Sequence, residues 1–169
     1  MMQKFIKNFL YFNLIGLFIY IIIELSAPST FSTFRVWEVL IAKHYPFKIG
    51  SFYPNEEIHM IEEGDLAHHT KYSIDKKVFW KTDRLGYRNT SYISNPDILL
   101  IGGSNIVGSS LSQEETLASR LTDMTGLKVY SLAPEDINTF IKLYNSEILK
   151  SPKLVVYACV ERDFYTLPN

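Results

Sequence analysis

The sequence predicts an α/β protein: a partial, doubly wound, three-layer fold around a parallel sheet, preceded by an apolar amino-terminal helix. Three observations carry this. Short apolar runs at 98–101, 127–132 and 154–160 alternate with amphipathic stretches at 112–125 and 134–148. Turn formers stand between them, namely Gly102-Gly103, Gly126 and Pro152. Residues 5–23 are almost wholly apolar and stand apart from that alternation.

The composition sets the outer bounds. The chain has 169 residues and a formal net charge of -1, enough for one modest domain and an appendage. Charged residues make up 21% and hydrophobic residues 47%, which argues against general disorder. Near-neutral charge with no basic stripe excludes nucleic acid as the expected partner. Cys159 is the single cysteine, so there is neither an internal disulfide nor a cysteine zinc site.

Residues 1–27 read as a membrane anchor. At the rise of a helix, 5–23 spans about 28 Å, adequate for a bilayer core. Lys4 and Lys7 precede the run and Glu24 is the first charge after it. That bias predicts an amino terminus inside, a single pass, and the remainder outside. A cleaved signal peptide competes, but Leu25-Ser26-Ala27 followed by Pro28 matches a small-x-small site poorly. A buried soluble helix is the other alternative.

Residues 28–46 read as a short amphipathic juxtamembrane helix, with Phe34, Trp37, Leu40, Ile41 and Tyr45 on one stripe and Pro46 at its end. It either lies along the membrane surface or packs on the folded domain. Residues 47–95 form an irregular lead-in with small hairpins. Ile58, Met60, Tyr72 and Ile74 suggest strands around Glu62-Glu63-Gly64-Asp65, and 77–81 another. His68 and His69 are adjacent and lack a helical H-x-x-x-H partner, so solvated side chains are expected there rather than a metal site with His59 and Asp65. Arg88 follows Gly86, and either braces a neighbouring carboxylate or chain terminus or is a solvated loop residue.

Residues 96–169 carry the α/β unit. Ser112 and Glu115 match a capping box. Leu117, Leu121 and Met124 form the inward stripe of a helix that Gly126 ends. Pro134 suits the first turn of the next helix, where Glu135 and Asp136 favour the amino end. Its packed face is Ile137, Phe140, Ile141, Tyr144 and Ile148. Right-handed crossovers place the second strand beside the first, and a crevice forms if the third lies on the other side. Three strands and two helices leave an apolar edge uncovered, so the expected arrangement is a piece of a larger domain or an edge covered by another chain.

Ser104 directly follows the first strand and Gly102-Gly103. A hydroxyl there sits at the carboxyl end of a strand, beside backbone N–H groups able to meet developing negative charge. It serves either as a nucleophile or as a simple cap of the next turn. Cys159 is an alternative nucleophile in principle, but within an apolar strand it reads first as a buried and inert thiol.

The ordered set D-I-L-L-I-G-G-S-N-I-V-G, Glu115-Thr116 and K-V-Y-S-L-A, led in by K-T-D-R-L-G-Y-R-N, resembles the first half of an SGNH (GDSL-like) hydrolase. The likeness covers roughly residues 64–164 and is nearest to membrane-anchored bacterial members that remove or transfer O-acyl groups on envelope polysaccharides. It implies a flavodoxin-like, SGNH-type sheet and a site at the bacterial cytoplasmic membrane. Position by position it implies Ser104 as nucleophile, supported by Asn105, with Gly103 where the family has aspartate. Ala133 stands at the oxyanion glycine and Arg162, followed by Asp163, at the usual asparagine. The family's D-x-x-H block has no counterpart. A base then comes from sequence beyond this stretch, from a partner chain, or from His68 or His69 oriented by Asp65, since such triads occur in several chain orders.

Two functions follow as expectations. One is a serine esterase or O-acyltransferase acting on an envelope carbohydrate or small acyl ester, without metal or cofactor. The other is an inactive, membrane-anchored glycan-binding or complex-forming module. Its partner would be a membrane acyltransferase or a second copy, and the lipid bilayer engages residues 5–23 in either case. A nucleotide loop is disfavoured, because Gly102, Gly103 and Gly108 give neither G-x-G-x-x-G nor a following lysine.

Overall fold

A computed structural model of the chain describes residues 2–26, 40–41, 49–62, 71–72 and 74–159. Helix α1, Met2–Ser26, contains the stretch Gln3–Ile22, which is long and apolar enough to cross a membrane and has no buried residue. Strand β1, Glu57–Glu62, pairs antiparallel with β2, Lys76–Lys81. The α/β unit follows as β3 (Ile98–Gly102), α2 (Ser104–Val107), α3 (Leu117–Thr125), β4 (Val129–Ser131), α4 (Ile137–Asn145) and β5 (Leu154–Ala158).

The three later strands form a parallel sheet in the order β4-β3-β5. Ile98 lies opposite Val129 on one side and Leu154 on the other, so β3 is central and the expected strand order holds. Successive residues of a strand face opposite sides, and β3 uses both. Leu100 joins a core with Val78, Trp80, Val107, Ala118 and Val129, beneath the hairpin and α3. Leu99 and Ile101 join a second core with Leu85, Tyr87, Tyr130 and Leu143, beneath α4 and the 82–93 segment. The sheet is therefore the middle of three layers.

Residues 49–95 are not a loose preface to this unit. Val78 and Trp80 alternate inward along β2, and Trp80 meets Phe52 edge to face at 5.6 Å between ring centres. The hairpin expected from Ile58, Met60 and 77–81 forms, but Tyr72 and Ile74 lie outside its strands and are exposed. Leu40 is buried in the first core, which favours packing on the domain over lying on the membrane surface at that point. Ile41 makes an antiparallel bridge to Phe52, so helix does not run through it. The rest of the 28–46 expectation lies outside the described residues.

The helices differ in detail from the pattern. The capping box at Ser112 and Glu115 forms, but on a 3-10 turn, Gln113–Glu115. Thr116 then caps α3 by accepting from the Ser119 amide at 3.3 Å, and Gly126 ends α3 at φ 69°. The inward contact is Ala118, with Leu121 beside it, while Leu117 and Met124 are exposed. Pro134 precedes α4 rather than opening it, and the cap is Asp136, whose carboxylate accepts from the Thr139 amide at 3.0 Å. Leu143 is the residue α4 buries, flanked by Ile137 and Phe140, whereas Ile141 and Tyr144 face outward. The third strand ends at Ala158, and Cys159 beyond it is exposed rather than buried.

Candidate functional site

The cleft at the carboxyl ends of the strands is built from two turns and a strand end. The turn after β3 contributes Gly102, Gly103, Ser104 and Asn105, that after β4 contributes Pro134, Glu135 and Asp136, and the end of β5 contributes Tyr157, Ala158 and Cys159. Together they enclose about 380 Å³, room for a small ligand or one sugar residue. With β4 on one side of β3 and β5 on the other, the cleft lies at the tip of the central strand.

Why the chain turns so sharply at Ser104 is local. Gly102 has φ 156°, and a Cβ there would lie 2.4 Å from the Ala158 carbonyl oxygen, so only glycine lets β3 and β5 meet at their tips. Gly103 is different: its φ is -82° and a Cβ would meet nothing within 4 Å. The position where the resembled family carries aspartate is thus open. The amides of Ile106 and Val107 close on the Gly103 carbonyl at 3.0 and 3.1 Å, which forms the single turn of α2.

Ser104 is half-buried and its hydroxyl makes no hydrogen bond to a described residue. Gly103, not Ser104, is the cap residue of α2. Asn105 is exposed beside it on the same wall. Across the cleft, Glu135 is held from two sides, accepting from the Ser51 hydroxyl and, at 3.1 Å, from that of Thr139. Asp136 lines the same wall, and its hydrogen bonds from Asn138 and the Thr139 amide hold its carboxyl below its ordinary pKa.

Ala133 does not offer the expected donor. It is fully buried, and its N–H donates to Ser131 Oγ at 3.3 Å, while the cleft wall begins one residue later. Arg162, Asp163, Asp65, His68 and His69 lie outside the described residues. Among the described residues, no group of three or more His, Cys, Asp or Glu side chains is placed to hold a metal.

Arg88 is neither a carboxylate clamp nor solvated. It is 2% exposed, stacks on Trp80 at 3.6 Å, and donates to the carbonyls of Val107 at 3.0 Å, Gly108 at 2.6 Å and Leu111. Burial pulls its pKa down to about 9 against the nearby Glu62, Glu114 and Glu115 carboxylates, which leaves it cationic at neutral pH. The residues that sequence reasoning did not assign to the site are Pro134, Glu135, Asp136 and Tyr157. Their signal was positional: each stands just past or at the end of a strand flanking the first.

The chain matches no protein-family model, no curated protein and no solved structure.

Proposed function

We propose that the chain is a membrane-anchored, SGNH-like serine esterase or O-acyltransferase of the bacterial envelope, its sheet the core of a doubly wound fold. One observation carries the reading: Ser104, whose hydroxyl bonds to no described residue, lines a cleft at the tip of the central parallel strand. Ser104 Oγ would attack the acyl carbon of an ester while its proton passes to a base. The backbone N–H groups at the start of α2 face the developing oxyanion. Collapse of the tetrahedral species releases the alcohol with a proton and leaves an acyl-serine, which water or a sugar hydroxyl then takes up. His68 or His69, oriented by Asp65, is the proposed base, and Arg162 and Asp163 the proposed third-block contribution. Tyr157 supplies an aromatic wall suited to a carbohydrate face, and the apolar α1 holds the domain at the outer surface of the cytoplasmic membrane.

The test is turnover of an activated acetyl ester by the full chain in detergent. Ser104→Ala should remove activity by a factor of about a thousand or more, and His68→Ala combined with His69→Ala by a similar factor. Equal turnover by the wild type and Ser104→Ala would refute the nucleophile. The second reading, a non-catalytic module that binds glycan or assembles with a membrane acyltransferase or a second copy, is favoured by one feature. From Leu154 to Tyr157, β5 presents side chains between 36% and 52% exposed along an open sheet edge.

A further inference from the structure

Segments without regular structure ordinarily run over the surface, because their backbone polar groups need water. Residues 82–89 break that rule: every one except Arg84 is buried, including Thr82, Asp83, Arg88 and Asn89. Asp83 shapes the segment from within. Its Oδ1 accepts from the amides of Leu85 at 2.8 Å and Tyr87 at 3.2 Å, and its Oδ2 from Tyr130 Oη at 2.6 Å and Asn89 Nδ2 at 3.0 Å. With its shape set, the segment reaches outward twice.

Arg88 takes the carbonyls of Val107, Gly108 and Leu111, immediately after the turn that carries Ser104. Asn89 pairs with the last residue of β4 as a strand would, donating to the Ser131 carbonyl and accepting from its amide, each at 2.9 Å. From Ser131 the chain runs directly to Pro134, Glu135 and Asp136 on the other wall of the cleft. We infer that residues 82–89 form a two-armed brace that sets the spacing between the two walls of the Ser104 cleft. Arg88 grips the segment behind the nucleophile, and Asn89 grips the strand that delivers the opposite wall.

The physical need is plain. Helix α2 is a single turn and is too short to hold itself in place. The segment behind it turns at Gly108, φ 81°, and holds Ser110 at φ 60°, a conformation that a residue with a side chain keeps only where its surroundings impose it. Its carbonyls point at the guanidinium instead of water, and its Ser110 amide donates to Glu62 Oε2 at 2.7 Å. A planar fork meets several carbonyls at fixed angles, and a lysine ammonium does not. Arg88 is in these terms a positioning residue that acts on Ser104 through the backbone.

The inference rests on the acyl-transfer reading above, and the experiment separates the two. In the full chain, Arg88→Lys keeps the charge and loses the fork. It should lower kcat for an activated acetyl ester about tenfold to a hundredfold, with KM changed less than about twofold. Arg88→Ala should fall similarly and recover with millimolar guanidinium but not with urea. Maleimide labelling of Cys159, exposed on the third wall, should proceed at the wild-type rate in both. A folded Arg88→Lys with wild-type kcat overturns the brace, as does a loss in Arg88→Ala that guanidinium leaves unrecovered. If both variants fail to fold, Gly108→Ala decides, because its Cβ would press on Arg88 Nη1 at 3.3 Å as well as on Thr116 Cγ2 at 3.2 Å. There too the kcat-selective fall is expected, and an unchanged kcat overturns the inference. Turnover indifferent to Ser104→Ala removes the acyl reading and the brace with it, whereas Ser104-dependent turnover indifferent to Arg88 removes the brace alone.

Discussion

Strands β3 and β5 are near twins by sequence, Ile-Leu-Leu-Ile-Gly beside Leu-Val-Val-Tyr-Ala, paired in parallel along their whole length. Their fates differ. From Leu99 to Ile101, β3 is 0% exposed, while from Leu154 to Tyr157 every residue of β5 is exposed. Apolar character is a property of the strand; burial is a property of the layers laid over it. The hairpin, α3, α4 and the 82–93 segment converge on β3 and leave β5 as an edge that no described strand pairs. The site lies at the seam between the two strands, where a fully covered element meets a half-covered one.

The largest effect should come from removing the cover. Asp83→Ala strands four donors in a buried setting, among them Tyr130 Oη, and loosens the segment that places Leu85 and Tyr87 against β3. It should cost about 4 kcal/mol in chemical denaturation. A loss below about 1 kcal/mol would mean that the segment does not govern the burial of β3. Next comes a register pair. Leu100→Ala should cost about 3 kcal/mol, whereas its partner Val156, 36% exposed, should lose under about 1 kcal/mol on the same change. Equal costs would show that β5 is covered in solution, by a partner or a second copy, and would strengthen the accessory reading.

How much of this was legible follows from the same contrast. The alternation of apolar runs and amphipathic stretches marks the parallel sheet, the pairing of its first two strands and the place of Ser104 at the end of the first, while the side taken by the third strand stays open until the fold is seen. Those features depend on periodicity and chain connectivity, which are local. The inward faces of α3 and α4 were misjudged because helical spacing identifies an apolar stripe but not which part of it meets a three-stranded sheet. Ala118 and Leu143 do, and Met124 and Ile141 overhang it. Cys159 was expected inside a strand that stops one residue earlier. Arg88 resisted reading for a different reason. Its acceptors are main-chain carbonyls at Val107, Gly108 and Leu111, which leave no mark in side-chain sequence.

A finer test lies in two adjacent glycines at the seam. Gly102→Ala would drive a methyl group against the Ala158 carbonyl of β5, and should cost about 2 kcal/mol by forcing the strand tips apart. Gly103→Ala points into open space from an extended backbone, so stability should hold or rise by about 0.5 kcal/mol through the less free unfolded chain. Thermal melts of the two single variants separate them. Similar losses at both positions would mean that the Ser104 turn itself, not the meeting of β3 with β5, demands glycine.

The smallest effect sits at the other end of the same seam. Asp97 precedes β3, accepts from the Lys128 amide at 3.0 Å just before β4, and pairs with Lys153 at 2.8 Å just before β5. The Lys153 ammonium first, and the Lys128 amide second, hold its carboxyl below the ordinary value. A carboxylate whose pKa is lower folded than unfolded stabilises the fold above the unfolded value, and that contribution disappears as pH falls through the folded one. Stability of the wild type should therefore decline below about pH 4 more steeply than that of Asp97→Asn, with the two curves parallel at neutral pH. The pair is solvent-accessible, so moderate salt should shrink the difference. Parallel curves down to the acid limit at low salt would show that β5 is tied to β3 by its backbone ladder alone, and that the charged clasp at its foot contributes nothing to keeping the exposed strand in register.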